Sequence, residues 1–159
     1  MNSIFPSFTQ NNQIDVTALS SIDQVGEDYL SDPLVHPKIS VGLFIDFYSS
    51  GLKAIKNAGI TVDDIDGVIL GTSHSARNYP AIAIEVQEAL GINGYAYDML
   101  VGCSSTTFAI SNAYSDIASG LASTILVINP ELTSPGNDFR VRDNHFIFGD
   151  ACVATIVQG

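Results

Sequence analysis

The sequence is poor in positive charge. Its 159 residues include 17 acidic but only six basic side chains, which gives a formal net charge of −11 at pH 7. A chain with this balance repels the phosphates of nucleic acids, so no nucleic-acid partner is expected. Charged residues altogether make up 14% of the chain, whereas about a quarter is usual in a soluble domain. This low share predicts a sheet covered on both faces, or a large surface buried against a partner.

Cysteine and long apolar runs are scarce as well. Two cysteines cannot form a disulfide framework, and the three histidines lack the spacing of zinc ligands, so no structural metal is expected. No apolar run reaches the roughly 18 residues that a membrane span needs. The first residues lack the basic start and apolar stretch of a secretory signal. We therefore expect a cytoplasmic protein without a membrane span.

Helical and strand patterns alternate from Ser40 onwards. Helices are predicted over residues 40–59, 80–91 and 104–120, since Ser40 and Pro80 suit helix starts and each pattern ends at a glycine. Short apolar strands are predicted over residues 67–72, 95–101, 123–129, 145–148 and 151–157. This alternation is typical of βαβ units and predicts an α/β fold with a mainly parallel sheet covered on both faces.

The first part of the chain shows no such pattern. Residues 1–38 are rich in Ser, Asn, Gln and Asp and are interrupted by three prolines, and a short helix over residues 14–29 is the one element that they suggest. The sequence therefore predicts an irregular segment over residues 1–38, followed by one α/β domain over residues 39–159.

Cys103 is the strongest candidate for chemistry. It follows a predicted strand and Gly102 and precedes a predicted helix, so its thiol is expected at the carboxyl end of a strand, where open α/β sheets bind ligands. The partial positive charge and free N–H groups of a helix start stabilise a thiolate, and a backbone N–H there can serve as an oxyanion donor. The alternative, a small buried hydrophobic residue, stays open from position alone.

The other candidate residues carry weaker signals. Cys152 lies inside an apolar strand, where a structural role is favoured. His74 and Arg77 lie in a loop after a strand, which favours a solvated surface loop over a site. His145 is more readily explained by a bond to a backbone carbonyl than by general base catalysis. Gly149 and Asp150 suit a tight turn, and the glycines match neither G-x-G-x-x-G nor a P-loop.

Several segments together resemble the β-ketoacyl-acyl-carrier-protein synthase III family of the thiolase-like superfamily. They are residues 79–91, the pair Tyr97-Asp98, the run Gly102-Cys103-Ser104-Ser105, and residues 146–150. The resemblance runs from about Val41 to the end of the chain. In order and spacing, these segments are similar to the N-terminal half of that family. The runs 78–80, 84–87, 138–140 and 143–150 point to its β-ketodecanoyl synthase-like subgroup.

The resemblance implies a fold and a function. The fold would be one half of the layered αβαβα architecture, with a mainly parallel mixed sheet. Cys103 would accept an acyl primer, of medium length in the subgroup, from acyl-coenzyme A or an acyl-carrier protein. Decarboxylative condensation with malonyl-acyl-carrier protein would follow. The partners implied are these two substrates and either a second copy or a complementing C-terminal half, with no redox cofactor or metal.

Three departures from the family limit this expectation. The family's decarboxylation histidine and asparagine belong to its C-terminal half, and neither His36, His74 nor His145 matches that histidine. The family's Gly-rich opening strand is not recognisable in residues 1–38, which predicts an unpaired sheet edge. The usual Gly-Asp-Gly-Ala-Gly is Gly-Asp-Ala-Cys-Val here. Two alternatives therefore remain: a non-catalytic synthase half that pairs with another subunit, and an unrelated α/β ligand-binding domain.

Overall fold

A computed structural model describes residues 9–11, 38–75, 79–133 and 148–159. The chain divides into two compact units, residues 1–45 and 46–159. In the first unit, strands β1 (Thr9–Asn11) and β2 (Lys38–Ser40) pair antiparallel. β1 lies within the segment predicted to be irregular. The sequence did not predict this strand, because its three polar residues carry no apolar signal. The helix suggested over residues 14–29 lies outside the described residues, and the boundary after residue 38 stays a prediction.

The remaining elements follow the predicted alternation to within two residues at each end. The helices are α1 (Val41–Ala58), α2 (Ile82–Leu90) and α3 (Ser105–Ala118), and the strands are β3 (Gly67–Thr72), β4 (Tyr95–Leu100), β5 (Thr124–Glu131) and β6 (Ala151–Gln158). Short 3₁₀ turns lie at Val62–Asp64 and Gly102–Ser104. Of the strand predicted over residues 145–148, the first three residues lie outside the described part of the chain.

The second unit contains a four-stranded sheet in the order β4-β3-β5-β6. β3 pairs in parallel with both β4 and β5, so that Leu70 lies opposite Asp98 on one side and Ile128 on the other. β6 runs antiparallel to β5. The sheet is thus mixed and mainly parallel, as predicted. Among the described residues β6 pairs with β5 alone, which leaves its other edge without a strand partner there.

The core lies on both faces of the sheet. β3 is buried along its whole length, and residues 125–128 of β5 are fully buried, as expected for strands covered on both sides. One face packs against α3 through small side chains, because Ala109 and Ala113 form one buried cluster with Ile69, Ile125 and Val127.

The opposite face of the sheet is covered by α1 and α2. Gly51 of α1 lies against the side chains of Leu90, Leu126 and Ile128. α2 buries one face, consisting of Ile82, Ala83, Val86 and Leu90. Within the described residues no helix is long and apolar enough to cross a membrane.

Candidate active site

The carboxyl ends of the three parallel strands meet at one edge of the sheet. Side chains join two of these ends. The amide of Asn129 donates a hydrogen bond to the Gly71 carbonyl oxygen at 3.1 Å. The carboxylate of Glu131 accepts the Ser73 N–H at 2.8 Å and also accepts the Ser73 hydroxyl. These bonds fix β3 to β5 at the point where the chain leaves the sheet.

Cys103 lies at this edge, in the short turn Gly102–Ser104 that connects β4 to α3. Its thiol is free and exposed. The turn depends on Gly102, which has a φ of +59° that side chains other than glycine rarely adopt. The Ser104 hydroxyl donates to the Val101 carbonyl oxygen at 2.7 Å. The predicted strand–Gly–Cys–helix geometry is therefore present.

The first residue of α3 is docked against the end of β3. Ser105 is only 1% exposed, and its hydroxyl accepts the Val101 N–H at 2.9 Å and lies 2.8 Å from the Thr72 carbonyl oxygen. A Cβ added at Gly71 would come within 2.9 Å of the Ser105 carbonyl oxygen. Glycine at position 71 thus lets α3 start directly against the sheet, two residues after the thiol.

The surroundings of the thiol suit attack on an apolar thioester. The first turn of α3 carries no acidic side chain, so no negative charge in that turn offsets the partial positive charge of the helix start. Leu100 and Val101 precede the cysteine, Phe108 follows it on α3, and all three are exposed. An exposed thiol beside a helix start and apolar side chains can accept an acyl group.

Cys152 lies on β6 and is half-buried. Burial raises the pKa of its thiol, a hydrogen bond with Ser50 lowers it, and the charge of Asp46 raises it further. The higher pKa reduces the thiolate fraction, which fits the structural role predicted for this cysteine. It is less buried than the apolar sequence around it suggests, because β6 is the last strand of the described sheet.

Of the three histidines and Arg77, the structure describes His74 alone. His74 is exposed in the loop after β3, and its backbone carbonyl accepts the Thr72 hydroxyl at 3.0 Å. His36, Arg77 and His145 lie outside the described residues. The described residues contain no cluster of acidic, histidine and cysteine side chains suited to a metal ion.

The Gly149-Asp150 pair lies just before β6. Thr133, which follows β5, donates its N–H to the Asp150 carboxylate at 2.9 Å and its hydroxyl to the Gly149 carbonyl oxygen at 3.1 Å. The pair thus ties the start of β6 to the segment after β5. Sequence reasoning missed this link and the burial of Ser105, since both depend on residues far apart in the chain.

Comparison with known proteins identifies sequences similar to this one. The family model for 3-oxoacyl-[acyl-carrier-protein (ACP)] synthase III matches residues 97–159. A β-ketodecanoyl-[acyl-carrier-protein] synthase from Pseudomonas aeruginosa is 56% identical over 106 residues, covering 67% of this chain and 30% of the relative. A β-ketoacyl-[acyl-carrier-protein] synthase III from Bartonella tribocorum is 40% identical over 115 residues, covering 69% of this chain and 36% of the relative. This chain spans about a third of the length of these curated relatives.

Solved structures confirm the fold. A tetronic acid condensing enzyme is similar at 31% identity with a TM-score of 0.64, covering 70% of this chain and 35% of the other. The 3-oxoacyl-[acyl-carrier-protein] synthase III of Aquifex aeolicus gives a TM-score of 0.70 at 24% identity, covering 95% of this chain and 49% of the other. The predicted thiolase-like α/β fold is therefore correct.

Proposed function

We propose that this chain belongs to the β-ketoacyl-[acyl-carrier-protein] synthase III family, whose curated members match about two thirds of it, and that Cys103 accepts the acyl primer. The observation that carries the proposal is the exposed thiol between β4 and α3, within the residues that the family model matches. The similarity to synthases of this family supports acyl transfer as the activity. The proposal also includes a cytoplasmic location.

The proposed step is a thioester exchange. The Cys103 thiolate attacks the thioester carbonyl of acyl-coenzyme A, and a tetrahedral oxyanion forms beside the backbone N–H groups at the start of α3. The carbon–sulfur bond to coenzyme A then breaks, and coenzyme A leaves as its thiolate and takes up a proton. The acyl group remains on Cys103 as a thioester, ready for condensation with malonyl-acyl-carrier protein.

We propose an eight-carbon primer. The relative from Pseudomonas aeruginosa is named for a β-ketodecanoyl product, and a malonyl-derived unit adds two of the ten carbons of that product. Leu100 and Val101, the two apolar residues before Gly102, are exposed, as is Phe108 on α3, which suits an apolar primer. No step of this proposal uses a redox cofactor or a metal.

Condensation needs more than the described residues supply. The resemblance assigns stabilisation of the decarboxylation carbanion to a histidine and an asparagine of the family's C-terminal half. We therefore propose acyl transfer as the step that this chain supports, and condensation as a step completed with a complementing C-terminal half or within a homodimer.

The test is acylation by octanoyl-coenzyme A. The folded chain is incubated with the thioester, and the intact mass and the cysteine peptides are measured. We expect one octanoyl group on Cys103, its loss in Cys103→Ala, and its retention in the matched control Cys152→Ala. A folded chain that stays unmodified, or is modified equally at both cysteines, contradicts the proposal.

A second candidate is a non-catalytic synthase half that pairs with another subunit. It is favoured by the apolar side chains that α3 exposes, since Tyr114 is 70% exposed and Phe108 is 50% exposed. Gel filtration with a complementing half distinguishes it, because this candidate predicts a stable complex whose Cys103 takes up no octanoyl group. A complex that becomes acylated at Cys103 contradicts it.

A further inference from the structure

The Ser105 hydroxyl is a buried polar group two residues after the proposed nucleophile. Its side chain is 1% exposed. The oxygen accepts the Val101 N–H at 2.9 Å, and its single proton faces two carbonyl oxygens, those of Thr72 and Gly102, each at 2.8 Å. One side chain thus contacts the end of β3, the end of β4 and the turn that carries Cys103.

This hydroxyl occupies the place of a ladder hydrogen bond. Thr72 lies opposite Leu100 in the parallel pair of β3 and β4, so the next ladder bond would join the Thr72 carbonyl to the Val101 N–H. The orientation of Thr72 agrees with this, because the neighbouring Gly71 carbonyl points to β5, where Asn129 binds it. Instead, the Ser105 oxygen accepts the N–H and faces the carbonyl, which separates the strands by one oxygen atom.

We propose that Ser105 is a positioning residue that sets the direction in which the Cys103 thiol meets an incoming thioester. The inference rests on the proposed function. The hydroxyl holds Val101 and Gly102, the two residues before the thiol, and the backbone of Ser105 is itself fixed by its close approach to Gly71. The residues on both sides of Cys103 are therefore anchored, although the cysteine itself is exposed.

Removal of the hydroxyl changes the turn in one of two ways. The Val101 N–H and the Thr72 carbonyl either pair directly, which draws the turn towards β3, or stay without the oxygen between them. Direct pairing moves the thiol relative to the start of α3, and loss of the bridging oxygen leaves the turn free to shift. A misplacement of about 1 Å is enough to slow a reaction by roughly a hundredfold.

The test compares two reagents on three variants. Ser105→Ala removes the hydroxyl, Ser105→Thr keeps it, and Ser115→Ala is the matched control, because the Ser115 hydroxyl lies on the exposed side of α3 and bonds within its own helix. For each variant we measure the maximal rate of Cys103 octanoylation, the octanoyl-coenzyme A concentration that gives half of it, the alkylation rate with iodoacetamide, and hydrogen exchange of the Val101 amide.

We expect Ser105→Ala to lower the maximal rate of Cys103 octanoylation by about tenfold or more. The half-saturating concentration of octanoyl-coenzyme A should stay nearly unchanged, because a buried side chain makes no contact with the substrate. Iodoacetamide alkylation should stay within about twofold, since a small reagent reaches an exposed thiol from many directions. Exchange at Val101 should speed up. Ser105→Thr should restore the octanoylation rate and the slow exchange at Val101. Ser115→Ala should match the wild type.

The outcomes separate this inference from the proposed function. A wild-type chain that reacts with iodoacetamide but not with octanoyl-coenzyme A overturns the proposed function, and the inference falls with it. If the wild type is acylated and the Ser105→Ala variant is acylated at the same rate, the positioning role alone is overturned. If Ser105→Ala does not fold, the wild-type Val101 amide decides: exchange at the rate of an exposed amide contradicts the inference, and slow exchange supports it.

Discussion

Asp66 joins the beginnings of three strands. Its carboxylate accepts the N–H groups of Ser123 and Thr124 at 2.7 and 3.0 Å, and its backbone carbonyl accepts the Tyr95 N–H at 3.2 Å. The hydrogen bonds from Ser123 and Thr124 lower the pKa of the carboxyl below its ordinary value, because they stabilise the charged form. At pH values above the unfolded-state pKa, the charged carboxylate therefore stabilises the fold. This contribution disappears as the pH falls through the lower folded-state pKa.

We therefore predict that the free energy of unfolding decreases as the pH falls below about 4, the ordinary pKa of an aspartate. Asp66→Asn should be less stable at pH 7 and should show a shallower decrease in acid. Urea unfolding between pH 7 and pH 2.5 measures both effects. Asp63→Asn is the matched control, since Asp63 is an exposed carboxylate near Asp66, and its stability at pH 7 should match that of the wild type. Equal profiles for wild type and Asp66→Asn would contradict the prediction.

At the residue scale, the sequence located the thiol but not its support. Strand, glycine and helix signals next to Cys103 are local, and local patterns predicted its place at a helix start. Ser104 and Ser105 look alike in the sequence, yet the first is exposed and the second is buried. The difference arises because β3, about thirty residues earlier, passes beneath the second serine, and no local pattern contains that contact.

At the scale of elements, Asp98 caps a helix to which it does not belong. Its carboxylate, on β4, accepts the N–H groups of Ile82 and Ala83 at 2.8 Å each. The residue at the N-cap position of α2 is Ala81, whose side chain has no oxygen that could accept these N–H groups. A strand residue thus supplies the cap and fixes the start of α2 against the sheet.

We predict that Asp98→Ala lowers the free energy of unfolding by about 1–3 kcal/mol, because two helix N–H groups lose their acceptor. Asp98→Asn should lose less, since one amide oxygen still accepts. Urea denaturation at pH 7 measures the differences. The matched control Glu88→Gln changes an exposed carboxylate near the other end of α2 and should shift stability by less than about 0.5 kcal/mol. A loss in the control as large as in Asp98→Ala would show that charge, not capping, is responsible.

The same helix shows which parts of the fold were predictable. Its end was predicted because Gly91 adopts the left-handed conformation that ends helices, a signal carried by one residue. Its start was placed two residues early, at Pro80, because the group that caps it lies sixteen residues away from Ile82. A helix end that a single glycine encodes can be predicted from sequence, whereas an N-cap supplied by another element cannot.

At the scale of the whole molecule, α3 is apolar on more sides than the sheet covers. Ala109 and Ala113 face the sheet, while Phe108, Ile110 and Tyr114 are exposed. A low charged share in the composition predicted either a sheet covered on both faces or a surface for a partner. The covered sheet is present, and the exposed side of α3 adds a specific reason to expect the partner as well.

We predict that Phe108→Asn combined with Tyr114→Asn reduces self-association and the binding of a hydrophobic dye, because both are large apolar side chains that α3 exposes. The free energy of unfolding should change by less than about 0.5 kcal/mol, since the two side chains are half or more exposed. Light scattering, dye fluorescence and urea denaturation measure these effects. The matched control Leu121→Asn alters an exposed apolar residue outside α3 and should leave association unchanged. A large loss of stability in the double variant would show instead that these side chains support the fold, and the apolar surface would no longer argue for a partner.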